Sequence, residues 1–370
     1  MLLIALRNLF QEKSRLLISV GGVAFAIILM VALFGIYNGA IERDVKFLKE
    51  SPSDIFVMRK GMTDMYHGVP LVSLTDIERL GQEDGVSKVV PVISLRPGVS
   101  DGDTQFSLFV TSFDPTDLSQ GPWALTSGTK NITDGEIIIP GSLAKKLGKK
   151  LGDTIVFSES AKVWRIAGLV PEASSFGNHY SWITYHAAQD FVEVPGTVSF
   201  AYITLFNPST AAGAAQSLQP KYPQLSLRGK DQLVTEEKKN LGDSFLPILQ
   251  AILAIAVLIG TAIIGLTIYT ATLDKSREVG ILKAIGVRNS QLYSIVLTQS
   301  MLTTALGLVI GIGLSFGVGW LISNLLDLSF VVTDIALITV VGLAFIMGIL
   351  ASLIPVRRLA FIDPAEVFKS

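Results

Sequence analysis

Not one of the 370 residues is a cysteine. That excludes a disulfide-stapled scaffold, a thiolate-ligated zinc or iron–sulfur site and a thiol nucleophile together. Histidine is almost as scarce, with only His67, His179 and His186, and no two stand at the spacing of a metal-binding helix face. Charge is thin as well: 16% of residues are charged against 49% hydrophobic, and the mean hydropathy is +0.52. Soluble domains carry charge on about one quarter of their residues, so the deficit points to a membrane protein. Thirty basic residues against 31 acidic ones leave no electrostatic footprint for nucleic acid.

The missing charge is concentrated in four stretches, 16–40, 245–272, 292–326 and 335–354, none of which contains Asp, Glu, Lys, Arg or His. Each is long enough, at about 1.5 Å per helical residue, to cross a hydrocarbon core about 30 Å thick. Spans without ionisable groups argue against an ion pathway or a proton relay. A cleaved signal peptide is the competing reading of the first stretch, but its apolar run is too long and no small-residue cleavage site follows. Residues 1–15 read as an amphipathic helix lying on the cytoplasmic surface, with Leu2, Leu3, Leu6, Leu9 and Phe10 at helical spacing.

Orientation follows from the short-loop cations. Arg7, Lys13 and Arg15 precede the first span, Lys275, Arg277, Lys283 and Arg288 fall in 273–291, and Arg357, Arg358 and Lys369 fall in the tail 355–370. The connection 327–334 has only Asp327 and Asp334. The positive-inside rule then predicts that both termini and 273–291 are cytoplasmic, and that 327–334 and the segment 41–244 lie outside. That segment holds 20 of the basic and 24 of the acidic residues, enough polarity and length for a domain with its own core. Strand patterns recur at 54–58, 88–95, 105–112, 136–139, 154–157, 163–170, 180–184 and 202–206. Short helices are predicted between them: one opened by a Thr75/Glu78 capping box, one over 141–147 closed by Gly148, and one over 210–218. The expected fold is therefore membrane α-helical, with a large α+β domain inserted between the first and second of four spans. Residues 235–241 read as a solvated helix that continues the second span outward as a stalk.

Catalytic constellations are sparse. Gly141–Lys150 has two glycines with lysines after them, but six residues separate the glycines where a phosphate loop has four, and no Ser or Thr follows the lysine. His179, Ser181 and Asp190 lack the strand-turn-helix context of a hydrolase nucleophile. Met58, Met62, Met65, Tyr66 and His67 fall within ten residues. Thioether, phenol and imidazole are groups that ligate haem iron or copper, so Met58, Met62, Met65 and His67 are candidate haem or metal ligands, against the alternative of a loop whose methionines touch membrane or a partner. No catalytic residue and no cofactor is assigned to the chain.

Two stretches carry a family resemblance. Ser276-Arg277-Glu278-Val279-Gly280-Ile281-Leu282-Lys283-Ala284-Ile285-Gly286-Val287 is similar to the R-E-x-G-x-L-[KR]-A-[IL]-G signature of the FtsX-like permease family of ATP-binding-cassette transporters, and Pro355 to Arg358 with Ile362 to Glu366 resembles that family's closing motif. Residues 141–154 resemble its MacB-like periplasmic core domain, and the order of spans agrees along the whole chain. The resemblance implies a permease subunit in a bacterial cytoplasmic (inner) membrane, without enzymatic activity of its own. ATP and Mg would be bound by a separate ATP-binding subunit, two copies of which pair with two permease chains, here expected as a homodimer. Arg277, Glu278, Gly280, Ile281, Leu282, Lys283 and Gly286 would form the coupling helix that docks on that ATPase. A membrane-fusion or adaptor protein is a further implied partner. Function is expected to be export or extraction of a lipid, peptide, antibiotic or similar substrate. The alternatives are mechanotransmission to an extracytoplasmic enzyme, and haem or metal efflux.

Overall fold

A computed structural model describes residues 13–62, 71–101, 104–171, 173–175, 177–325 and 328–360. Most of the N-terminal amphipathic stretch, Met65 to His67, and the closing motif at 362–366 lie outside the described residues. In chain order the helices are α1 (Lys13–Asp44), α2 (Lys46–Glu50), α3 (Leu74–Leu80), α4 (Gly141–Lys146), α5 (Tyr185–Gln189), α6 (Ala211–Leu218), α7 (Lys230–Asp274), α8 (Ser276–Ala284), α9 (Asn289–Leu325) and α10 (Asp334–Ala360). The strands are β1 (Ile55–Arg59), β2 (Val72–Ser73), β3 (Val86–Val92), β4 (Ser94–Leu95), β5 (Gly98–Asp101), β6 (Thr104–Phe113), β7 (Ser127–Gly128), β8 (Glu136–Pro140), β9 (Thr154–Val156), β10 (Val163–Val170), β11 (Asn178–Thr184), β12 (Thr197–Val198), β13 (Phe200–Leu205) and β14 (Leu225–Gly229). Contacts divide the chain into two units, residues 40–242 and residues 1–39 with 243–370.

The 40–242 unit is the α+β domain. One sheet runs β14-β1-β13-β3, antiparallel throughout, and a larger mixed sheet runs β4-β6-β11-β8-β10-β7, with β5 added to β6 and β9 to β10. β8, between the parallel β10 and the antiparallel β11, is buried along its whole length because Ile137 and Ile139 enter one buried cluster and Ile138 another on the opposite face. A continuous apolar run is what a strand covered on both faces requires. β1 divides its side chains likewise: Ile55 and Val57 enter one buried cluster, Phe56 and Met58 the other. Phe56 stands opposite Tyr202 in the register, their rings edge to face at 5.3 Å, a cross-strand pair that helps fix the alignment.

Two local expectations change. α3 begins at Leu74 with Ser73 before it and no side-chain cap. The pairing of Ser73 with Thr197 and the Leu74 N–H bond to the Gly196 carbonyl (2.9 Å) start the helix one residue ahead of Thr75. β14, in the proline-rich return, was not anticipated; it is an edge strand held by five register positions on β1. α4 forms as expected, with Leu143 and Ala144 buried, lysines exposed and Gly148 at φ +62° after it.

The other unit is a bundle. Among the described residues four helices are long and apolar enough to cross a membrane, spanning Lys13–Glu50, Lys230–Asp274, Asn289–Leu325 and Asp334–Arg358. Their contact face is built on small residues. A Cβ placed on Gly311 of α9 would lie 2.7 Å from the Ile27 side chain of α1, so the glycine permits an approach that any larger residue would block. Gly313 and Gly317 face open space. Ser300 donates a 2.5 Å hydrogen bond to the Gly348 carbonyl, joining α9 to α10 inside the bundle. α7 runs without interruption for 45 residues and contains Pro247, so the predicted solvated helix at 235–241 is continuous with the second span.

Candidate functional site

α8 is a short helix set between two long ones, and its boundaries are written in its residues. At its start the Val279 N–H still bonds to the Lys275 carbonyl at 3.0 Å. At its end Val287 N–H reaches the Leu282 carbonyl and Gly286 N–H the Lys283 carbonyl, both at 3.0 Å, with Gly286 at φ +95°. This is the paired-bond stop that a left-handed glycine after a helix makes. α9 then opens with the Gln291 side chain accepting from the Arg288 N–H at 3.1 Å, half of a capping box.

The α8 signature residues separate by face. Gly280 is buried and Val279 packs on the bundle core. Arg277, Ile281 and Ile285, spaced four apart and therefore on one stripe, are exposed; Ile281 is 46% and Ile285 72% accessible. Lys283 is half-buried. Glu278 and Leu282, also four apart and also exposed, border a cleft of about 180 Å³ with parts of α1, α7 and α9. The cleft includes Arg15, whose guanidinium pairs with Asp274 at 2.7 Å, and Lys275. The sequence suggests the amphipathic helix; the division of Glu278 and Leu282 from Ile281 depends on how α1 and α9 pack beside it.

The remaining candidates do not converge. Met58 is 2% exposed within the sheet core and is a packing residue, while Met62 is half-buried just beyond β1. Met65 and His67 lie outside the described residues. His179 is a buried β11 residue whose ring lies edge-on to Phe106, and Asp190 pairs with Lys162 at 2.8 Å. Among the described residues no group of three or more His, Asp or Glu could hold a metal ion. One cluster had no sequence signal because its members are far apart in the chain. Thr184 caps α5 by accepting from the Ala187 N–H at 3.1 Å and donates to Asp134, whose other oxygen lies 2.6 Å from His186 Nδ1. The Thr184 hydroxyl first, and then His186, hold the Asp134 carboxyl below its ordinary range against the opposing effect of desolvation.

A family model of the MacB-like periplasmic core domain matches residues 16–221, and one of the FtsX-like permease C-terminal region matches residues 251–364. An uncharacterized ABC transporter permease of Mycobacterium tuberculosis (strain ATCC 25618 / H37Rv) is 23% identical over 100% of this chain and 99% of its own length. The macrolide export ATP-binding/permease protein MacB of Hyphomonas neptunium is 23% identical over 99% of this chain and 60% of its own. The crystal structure of the periplasmic region of MacB from Actinobacillus actinomycetemcomitans covers 50% of this chain and 92% of its own, with 15% identity and a TM-score of 0.36. The core-domain match alone takes in more than half of the residues, and the chain belongs to the MacB-like, FtsX-like permeases of the ABC transporters.

Proposed function

We propose that this permease takes up the work of a separate ATP-binding subunit through the exposed stripe of α8 and passes it along α7 to its MacB-like domain, driving export or extraction of a substrate. In this reading 16–40, 245–272, 292–326 and 335–354 cross a bacterial inner membrane, both termini and 273–291 are cytoplasmic, and 41–244 is extracytoplasmic, as the distribution of Lys and Arg favours. ATP and Mg belong to the partner. Two permease chains and two ATPase chains make the assembly.

The observation that carries the reading is the exposure of Ile281 and Ile285 in line with Arg277. An amphipathic helix with an open apolar ridge suits insertion into a groove of a partner, where a few buried anchors supply most of the affinity. Val279 packs on the bundle core and Gly280 is buried, which in this reading lets force applied at the ridge reach the spans.

The test is ATP turnover by the co-purified ATPase, with and without the permease. The double substitution Ile281→Asp and Ile285→Asp should lower permease-dependent turnover about tenfold or more, the loss of a hot-spot pair, while membrane insertion stays intact. Turnover equal to that of the parent protein rejects the docking role. The identity of the co-purifying periplasmic or membrane partner separates export from mechanotransmission: an adaptor favours the former, a cell-wall hydrolase the latter.

A further inference from the structure

The α+β domain has an opening of its own at one end of the larger sheet. β6 and β11 are parallel and in register through Phe113 and Thr184, so Asp114 and Tyr185 leave the sheet side by side. Trp182 of β11 also pairs with Ile138 of the antiparallel β8, which brings the segment before β8 to the same end. Crevices for ligands form where parallel strands finish and their loops diverge. Here these segments and α5 enclose a cavity of about 520 Å³, within the roughly 300–1,000 Å³ of small-molecule sites.

The polar groups lining it are held in set orientations. Asp114 Oδ1 accepts from the Thr116 N–H at 2.9 Å and from the Thr116 hydroxyl at 2.8 Å. Those two bonds, the N–H first, keep the Asp114 carboxyl below its ordinary range, and Oδ2 has no partner among the described residues. Asp134, gripped by Thr184, is held ionised as well, and an ionised carboxylate can only accept. The hydrogen of its contact with His186 therefore sits on Nδ1, which leaves Nε2 of the neutral ring as an acceptor. The His186 side chain is 82% accessible. Among the described residues no Lys or Arg lines the cavity, and the neighbouring Lys162 is engaged by Asp190 at 2.8 Å. Pro115, Ile132 and Tyr185 supply the apolar part of the wall.

Two carboxylates without a lining cation repel an anion and attract a cation, and the imidazole acceptor sets a further condition. A quaternary ammonium has no N–H to give it, and a neutral alcohol forgoes the attraction of both carboxylates. A primary ammonium has three donors and meets both demands. We propose that this cavity binds an organic primary amine, its ammonium donating to Asp114 and to His186 Nε2 in the field of Asp134, and its apolar body lying on Pro115, Ile132 and Tyr185. Thr184 and Asp134 then act as positioning residues that turn the imidazole toward its task. In the proposed topology the site faces the extracytoplasmic side, where an exporter meets its cargo. The site itself does not depend on ATPase coupling, and its test measures binding to the permease alone, so failure of one is separable from failure of the other.

The experiment titrates the purified full chain, in phosphatidylcholine nanodiscs at neutral pH, with para-fluorophenethylamine and reads binding from the broadening of the probe's fluorine NMR line, after subtraction of empty nanodiscs. The matching alcohol, the trimethylammonium analogue and para-fluorophenylpropionate are run in parallel. The amine should bind saturably and about tenfold or more tightly than each of the other three, the worth of one charge-assisted bond. Asp114→Asn and His186→Phe should each weaken its binding about tenfold for the same reason, with the urea midpoint of the domain, followed by tryptophan fluorescence, as in the parent. Asp84→Asn removes an exposed carboxylate from the turn before β3 and should leave binding unchanged, which separates contact from general charge. Absence of saturable binding, or equal or tighter binding of the alcohol, the trimethylammonium analogue or the propionate, overturns the proposal. So does insensitivity to either site substitution at the parent midpoint, or an equal loss in Asp84→Asn. The comparison among the four probes uses the parent chain and is decisive whatever a substitution does to folding.

Discussion

Met58 illustrates how a residue's chemistry and its surroundings compete. In sequence it joins Met62, Met65 and His67 as a soft-ligand cluster; in the fold its thioether lies in a core cluster with Phe56 and Tyr202, 2% exposed. Methionine fills irregular core space well, and removing it leaves a cavity whose cost is roughly 2 to 5 kcal/mol. Met58→Ala should therefore lower the denaturant midpoint of the domain, followed by the fluorescence of Trp123, Trp164 and Trp182, and should not change the absorption spectrum of added haem. A shifted haem band with an unchanged midpoint would restore the ligand reading. The strand at 54–58 was legible from its β-branched and aromatic residues, but not which elements cover its two faces, because they lie far along the chain.

Elements are held by ties that local pattern leaves unstated. The turn after β6 is fastened to β3 by Asp117, which accepts from Lys88, from the Ser119 hydroxyl at 2.6 Å and from the Gln120 amide at 2.7 Å. Lys88 first, then Ser119 and Gln120, hold this carboxyl well below the usual carboxylate range. The sign follows from proton counts. With a folded value below the unfolded value of about 3.9, the native state binds fewer protons between the two, so the tie contributes fully above about pH 4 and is lost as pH falls toward the folded value. Asp117→Asn should be less stable than the parent in urea at pH 7, and the gap should narrow steadily below about pH 4. A gap independent of pH would remove the ionic tie. At this scale the sequence was most informative where periodicity is local: eight strand patterns and the α8 signature lie where expected. The Asp134–His186 contact, between residues 52 apart, had no such signal.

For the whole molecule, the absence of cysteine makes the proposed topology directly measurable, since any introduced thiol is unique. Ser119 in the α+β domain and Ser290 at the start of α9 are both exposed. Ser119→Cys should react with a membrane-impermeant maleimide added to intact spheroplasts, and Ser290→Cys only after permeabilisation. The reverse pattern would invert the orientation assigned from the positive-inside rule.

Local residue order was enough to place the four apolar spans, the polar domain inserted after the first, and the glycine-stopped helix α8. Each of these depends on the order of neighbouring residues: an uncharged run, a period, a left-handed stop. Packing between distant segments set the strand order β4-β6-β11-β8-β10-β7, the burial of Met58, and the position of Glu278 and Leu282, exposed like Ile281 and Ile285, beside a cleft that Ile281 and Ile285 do not line. Those outcomes rest on surfaces that meet only after the chain has folded, where close packing between distant segments chooses among faces that the local pattern leaves equivalent.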